Sequence, residues 1–245
     1  MNDVTRLLKS HRSIRKFTEE TVSREIVEEL VACGQAAATS SNVQAVTVIH
    51  VTDPDKRDAL ATHAGGQRYV STAGAFLVYC ADMNRPRYAC ERQQGVYAAG
   101  MTEQFIIATV DVALAAQNAV VAAESLGLGI CYIGGLRNNP AEVSQLLALP
   151  EHVYPVFGLC LGYPAQDPEI KPRLPVPAVL MENEYDNSGF DANIDRYDSE
   201  VQHYYMTRTG GNKDSTWSQE MKSLVGKESR PHMYKFLQSR GFLQK

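Results

Sequence analysis

The stretch GMTEQFIIATVDVALAAQNAVVAAESLGLGICYIGGLRNN, residues 100–139, decides how the rest of the chain is arranged. From Gly100 to Leu126 it contains no proline and reads as one helix. At about 1.5 Å per residue, a helix of that length runs roughly 40 Å, longer than one small domain needs. Phe105, Ile106, Ile107, Val110, Val112, Leu114, Val120 and Val121 alternate with seven alanines, so apolar residues lie on every face. A helix of that kind is buried, either in its own core or between two subunits, and its small side chains admit a second backbone at close range. Gly127 and Gly129 stop it. Ile130–Ile133 is then a short β-branched and aromatic strand, and Gly134-Gly135 a turn whose amides can face a ligand. Asp111, Gln117 and Asn118 interrupt the apolar run and argue against a membrane span.

Outward from this stretch the pattern is α+β. Toward the N-terminus, residues 3–10 form a short helix, and Ser23 caps a second helix that runs to about Ala37 on Ile26, Val27, Leu30 and Val31. Ala45–Val51 alternates as a strand. Asp53-Pro54 opens a helix ending near Gly65-Gly66, and Ala75–Cys80 is a strand buried on both faces. Residues 82–95 read as a polar connection. Toward the C-terminus, Asn139-Pro140 opens a helix through Leu149, and Val153–Leu161 is a core strand. Pro164, Pro168, Pro172, Pro175 and Pro177 hold residues 162–178 extended. Residues 183–225 are more polar, with helices over 194–206 and 216–225 joined by a basic loop at 208–213. A last helix starts at Ser229-Arg230-Pro231.

The chain has 245 residues, 44% of them hydrophobic and 21% charged, which is ordinary for a soluble globular protein. Its formal charge of −4 removes the basic surplus expected of a nucleic-acid binder. Five cysteines without a C-x-x-C pair point to a reducing compartment, and the N-terminus lacks the apolar core of a signal peptide, so a cytoplasmic protein is expected. No metal-ligand spacing is present.

Three stretches carry candidate chemistry. In His11-Arg12-Ser13-Ile14-Arg15-Lys16-Phe17, the apolar Ile14 and Phe17 anchor the segment and aim Arg12, Arg15 and Ser13 to one side, a pattern suited to an anion or to a solvated turn. Thr39-Ser40-Ser41-Asn42 and the Gln67 that follows Gly65-Gly66 offer hydrogen bonds to a polar ligand, or simply turn the chain. Lys171 and Arg173 flank Pro172 on a stiff segment that is either a surface linker or a pre-organised cationic clip.

HRSIRKFT (11–18), TSSNVQ (39–44), GGQ (65–67), DVALAAQNAVVAAESLGLG (111–129), YIGGLRNNP (132–140), FGLCLGYP (157–164), KPRLP (171–175), TRTGGNKDSTWS (207–218) and KESRP (227–231) together span nearly the full length. In that order and at those separations, the chain resembles the oxygen-insensitive NADPH nitroreductase and flavin reductase group of the FMN-dependent nitroreductase superfamily.

The resemblance implies a three-layer α-β-α sandwich. A mixed central sheet is extended by a strand from the partner's C-terminal region, and the long helix is central to a homodimer. It implies one domain made of an FMN-binding core (1–182), a mobile helical excursion with the NADPH-recognition loop (183–226) and a C-terminal arm packing on the core or partner (227–245). For non-covalent FMN it implies His11, Arg12, Ser13, Arg15, Thr39, Ser40, Ser41, Gln67, Tyr132, Ile133, Gly134, Gly135, Lys171 and Arg173. For NADPH and substrate it implies Ser41, Glu103, Arg208 and Lys213. Thr39 stands where the family usually has serine, and Lys213 where it has a second arginine; lysine offers no bidentate fork.

The activity implied is two-electron, ping-pong transfer from NADPH through the flavin N5 to nitroaromatics, quinones or free flavin, with no protein nucleophile and no metal. The alternatives are an NAD(P)H:FMN reductase supplying reduced flavin, or a catalytically silent FMN-binding dimer. Neither nucleic acid nor membrane is an expected partner.

Overall fold

The structure, a computed structural model, describes residues 2–211 and 213–245. Met1, and Asn212 within the expected basic loop, lie outside the described residues. In chain order the elements are α1 (Asp3–Lys9), α2 (Arg24–Gln35), β1 (Val46–His50), α3 (Pro54–His63), α4 (Tyr69–Thr72), β2 (Ala75–Asp82), α5 (Asn84–Arg92), α6 (Thr102–Ser125), β3 (Gly129–Ile133), α7 (Pro140–Leu146), β4 (Val153–Gly162), α8 (Phe190–Thr207), α9 (Trp217–Val225) and α10 (Met233–Ser239). They group into two compact units, 1–166 with 230–245, and 167–229.

The first unit is built on one four-stranded sheet of order β1-β2-β4-β3. Every residue of β2 is buried, because the strand is central and both its faces are covered. Ala75, Leu77, Tyr79 and Ala81 face the layer of α2 and α6, whereas Phe76, Val78 and Cys80 face α3, α4 and α7. The period of two along one strand therefore produces three layers.

The mixed sheet implied by the resemblance is corrected: all three strand pairings are antiparallel, and the parallel contact among the described residues is an isolated bridge from Ser13 to Ile130. The helical connections from β1 to β2 and from β3 to β4 each return the chain to the end it left. They act as long hairpins and not as crossovers.

Two helix starts follow their sequence signals. Ser23 accepts from the Ile26 amide, and Asp53 accepts from the amides of Asp55 and Lys56 with Pro54 in the first turn. The expected polar connection at 82–95 is instead partly helical, as α5. Asp82 accepts from the amides of Asn84 and Arg85 (2.9 and 3.1 Å), and Pro86 falls in the first turn, where its missing N–H costs nothing.

α6 runs 24 residues, and by length and composition alone it could cross a membrane. Here it is a core helix on one side: eight of its residues, mostly alanine and valine, are buried against the sheet and α2. The close second backbone is that of α2, since a Cβ on Gly34 would lie 2.9 Å from the Ala115 carbonyl oxygen. The all-round burial expected of α6 is not met within the chain, where Ile106, Val110 and Leu114 are each about half exposed.

The strand expected from the C-terminal region has no counterpart among the described residues. That region forms α10, and Phe236, Leu237 and Phe242 are buried in the same chain's core. α10 also begins later than expected, at Met233, after Arg230 takes a left-handed φ of 53°.

The second unit packs α8 and α9 around Tyr197, Val201 and Tyr205, one stripe at i, i+4 and i+8, with Leu174 and Trp217 against it. A capping box between Thr216 and Gln219 starts α9.

Candidate functional site

Residues 11–18 lie extended along the ends of β3 and β4. The Ile14 amide donates to the Ile130 carbonyl (2.8 Å) and the Thr18 amide to the Tyr163 carbonyl (2.9 Å). Ile14 is buried on Gly129, where a Cβ would come 2.7 Å from its Cγ1. Phe17 rests on Gly162 in the same way.

The segment divides its polar groups between two places. Ser13 hydrogen-bonds the Cys131 thiol, and Arg15 reaches Tyr69 and lies near Cys131. The Arg12 amide donates to Glu124 instead. His11 is held wholly by α6: its Nδ1 bonds the Glu124 carboxylate and its Nε2 accepts from Gln117 Nε2 (3.0 Å). Tyr132 completes the chain by donating its hydroxyl to Gln117 Oε1 (3.3 Å). Burial pushes the Tyr132 phenol up to about 12, so it stays protonated, and burial likewise raises the Glu124 carboxyl against the opposing pull of His11.

Gln67 and the glycine turn meet on the same side of the sheet. Gln67 Nε2 donates to the Ala64 carbonyl (3.0 Å) and its Oε1 accepts from Tyr69 (2.9 Å). A Cβ on Gly135 would lie 2.4 Å from that Ala64 oxygen and 2.8 Å from Gln67 Nε2, so only glycine fits. Ile133 is fully buried beside it. His11, Ser13, Arg15, Gln67, Tyr132, Ile133, Gly134 and Gly135 are thus assembled around the ends of β3.

The Thr39–Gln44 loop is held separately. Ser41, Asn42 and Gln44 all take left-handed φ (47°, 57° and 53°), a costly conformation for residues with a Cβ. Asp111, with no exposed surface, holds it by accepting from the Ser40 and Ala45 amides, each at 3.1 Å. Thr39 accepts from the Gln44 amide within the loop (3.3 Å). Thr39 also lines a cleft of about 550 Å³ with Gln35, Gln44, Tyr79 and Arg85, and none of the residues grouped at β3 borders that cleft. Ser40 and Ser41 are exposed. Glu103, in the first turn of α6, is exposed.

In the second unit Lys171, Arg208 and Lys213 converge on one ring. Lys171 Nζ donates to the Tyr205 hydroxyl at 2.7 Å. Arg208 Cζ lies 5.0 Å and Lys213 Nζ 4.3 Å from the ring centroid. Arg173, across Pro172 from Lys171, folds back to donate to the Lys171 carbonyl (2.6 Å). Glu169 accepts from the Thr209 amide and hydroxyl (2.9 and 2.7 Å), which lowers its pKa and ties down the loop after α8. Lys171, Arg173, Tyr197, Tyr205, Trp217 and Glu220 border a cleft of about 520 Å³.

The anchoring roles of Asp111, Gln117 and Glu124 were not read from the sequence. Their signal was present, as the polar interruptions of an apolar helix. Tyr69 and Tyr205 carried no local signal at all. Among the described residues no cluster of His, Cys, Asp and Glu could hold a metal.

Residues 8–163 match the model of the nitroreductase family, and residues 171–245 that of the nitroreductase family C-terminal domain. The chain belongs to the nitroreductase family. It is 45% identical over 245 residues to the NADPH-flavin oxidoreductase of Vibrio harveyi, covering 100% of both chains. To the oxygen-insensitive NADPH nitroreductase of Salmonella typhimurium it is 43% identical over 242 residues, 99% of each. Among solved structures, NfrA1 of B. megaterium superposes with a TM-score of 0.96 at 43% identity, covering 99% of this chain and 100% of that one. The nitroreductase fold is therefore the fold of this chain, an α+β sandwich on an open antiparallel sheet.

Proposed function

We propose that this nitroreductase-family chain is an FMN-dependent oxidoreductase that takes electrons from NADPH and delivers them in pairs to small flat acceptors such as nitroaromatics, quinones or free flavin. The relatives named for NADPH, flavin and nitro-group reduction support the class. The observation that carries the reading within the chain is the 11–15 segment. It is pinned by backbone bonds to β3 and β4, and it leaves exposed Ser13 and Arg15 converging beside Gln67 and the glycine turn.

When bound, FMN supplies hydride acceptance at N5 and two-electron transfer. The chain's own residues bind and orient it. Ser13, Arg12 and Arg15 would suit its phosphate dianion, and Lys171 and Arg173 are the further cations the family resemblance assigns to FMN, with charge-assisted bonds of about 1.5–3 kcal/mol each. The backbone at Tyr132, Ile133, Gly134 and Gly135, with Gln67, would hold the ring system. Thr39, Ser40 and Ser41, on the Asp111-held loop, would contact it from the second half-site described below. His11 acts as the strut that fixes the phosphate segment to α6, since both its nitrogens are engaged. Arg208 and Lys213 would receive the coenzyme's 2′-phosphate, and Glu103 and Ser41 would line the acceptor's approach.

We also propose a homodimer. Ile106, Val110 and Leu114 form one bare apolar row at i, i+4 and i+8 along α6. The two groups of flavin residues are tied to Asp111 and to Glu124, about 20 Å apart along that helix. One chain thus presents two half-sites at different points of one helix, as a shared two-fold interface requires. The thiols of all five cysteines are free, which supports a reducing, cytoplasmic setting. The core, the excursion and the C-terminal arm work as one catalytic domain.

The test is an anaerobic visible spectrum of the purified protein, before and after NADPH and then a nitroaromatic. Flavin bands that bleach and recover are the expected result. Protein that stays colourless after incubation with FMN would overturn the proposal. Double-reciprocal plots should be parallel for the two-step exchange, and intersecting lines would remove it.

A further inference from the structure

The cations assigned above to the flavin and to the coenzyme share one aromatic residue. Tyr205 is 4% exposed, at the end of the buried stripe of α8. Its hydroxyl accepts from Lys171 at 2.7 Å, and its ring lies 5.0 Å from Arg208 Cζ, 4.3 Å from Lys213 Nζ and 5.0 Å from Lys171 Nζ itself. The Lys213 amide also donates to the Tyr205 carbonyl (3.2 Å), so the loop is threaded back onto the same residue.

Three cations this close repel one another, and something must hold them. Lys213 has a carboxylate partner, Glu220, at 2.8 Å. Among the described residues neither Lys171 nor Arg208 has a carboxylate in ion-pair range; Glu169 lies beside Arg208 but spends its oxygen on Thr209. The negative face of a nearly buried tyrosine ring and its hydroxyl oxygen supply the missing attraction. Lys171 and Arg208 are thereby held in place without an ion-pair partner among the described residues, while Glu220 steadies Lys213, which leaves cationic charge available for a phosphate or an anionic ring.

We propose that Tyr205 is a positioning residue with two separable tasks, which rest on the function proposed above: its hydroxyl sets Lys171 for the flavin, and its ring sets Arg208 and Lys213 for the 2′-phosphate that separates NADPH from NADH. A ring holds a lysine as well as an arginine, so the site tolerates lysine at 213 without the bidentate fork.

The experiment measures equilibrium binding. FMN affinity of the apoprotein is read by flavin fluorescence, and the ratio of NADP⁺ to NAD⁺ affinity of the holoprotein by calorimetry, for the parent, Tyr205→Phe and Tyr205→Leu. Tyr205→Phe keeps the ring and its volume. It is expected to weaken FMN roughly fivefold and leave the coenzyme ratio unchanged. Tyr205→Leu is expected to weaken FMN at least as much, since the ring over Lys171 is lost too, and also to lower the NADP⁺ to NAD⁺ ratio about tenfold. A merely structural residue would move both quantities together in both variants, and that outcome overturns the proposal. So does unchanged FMN affinity in Tyr205→Phe, which decides the matter even if the leucine variant does not fold. Should the parent itself bind no FMN, the function proposed above fails and this inference with it. A parent that binds FMN and prefers NADP⁺, with variants that match it, removes Tyr205 alone.

Discussion

Asp111 has no exposed surface and stands in a helix whose other inward residues are alanine and valine. Its two oxygens are each used once, on the Ser40 and Ala45 amides, and between those amides lie three left-handed residues. A neutral amide at this position would turn one donor against a backbone N–H. Asp111→Asn should therefore lower stability by about 1–3 kcal/mol, read as the urea midpoint, and weaken FMN binding as the 39–44 loop relaxes. A variant with parental midpoint and parental FMN affinity would show that the loop holds its shape unaided. In the sequence Asp111 is visible only as an interruption of an apolar run. Nothing local says which amides, roughly seventy residues away, it will meet.

Among the elements, the 11–17 segment depends on a glycine it does not contain. Gly129 opens β3, and any Cβ there would lie 2.7–2.9 Å from three atoms of Ile14. Ile14 is the apolar anchor between Ser13 and Arg15, so displacing it moves both. Gly129→Ala should lower stability by about 1–3 kcal/mol through overpacking. It should also release FMN more readily than a mutant of equal stability elsewhere in the sheet, as measured by flavin retained through gel filtration. Equal retention in the two mutants would show that the segment reaches the ligand independently of Ile14. The alternation of Ile14 and Phe17 with charged residues made the anchoring legible. Its partition did not: Ser13 and Arg15 turn toward Cys131 and Tyr69, while His11 is taken by Glu124 and Gln117.

For the molecule as a whole, α6 carries the consequence. Its inner face closes the core against α2 and the sheet, and its outer row of Ile106, Val110 and Leu114 is left about half exposed. A row of large aliphatics at helical spacing is poorly suited to water and well suited to a copy of itself. Val110→Arg should shift the protein from dimer to monomer in sedimentation velocity and strip its FMN at the same time, with the fold of the single chain retained by circular dichroism. A variant that remains dimeric would place the interface elsewhere.

Helix and strand types were legible in the sequence wherever they rest on short-range chemistry. Ser23 and Asp53-Pro54 start helices, the unbroken apolar run of β2 marks a strand covered on both faces, and the long alanine-rich α6 needs no partner to be recognised. The motifs HRSIR, YIGG and KPRLP likewise named the family from sequence alone. Other features were decided only by the tertiary structure. These are the antiparallel sense of the sheet, the helix in the polar 84–92 segment, the folding of the C-terminal arm onto its own core, and the gathering of three cations on Tyr205. Each of them depends on which distant groups meet, through strand register, an Asp82 cap or a buried ring. Periodicity along a chain records which face of an element is apolar; it carries no record of what that face will touch.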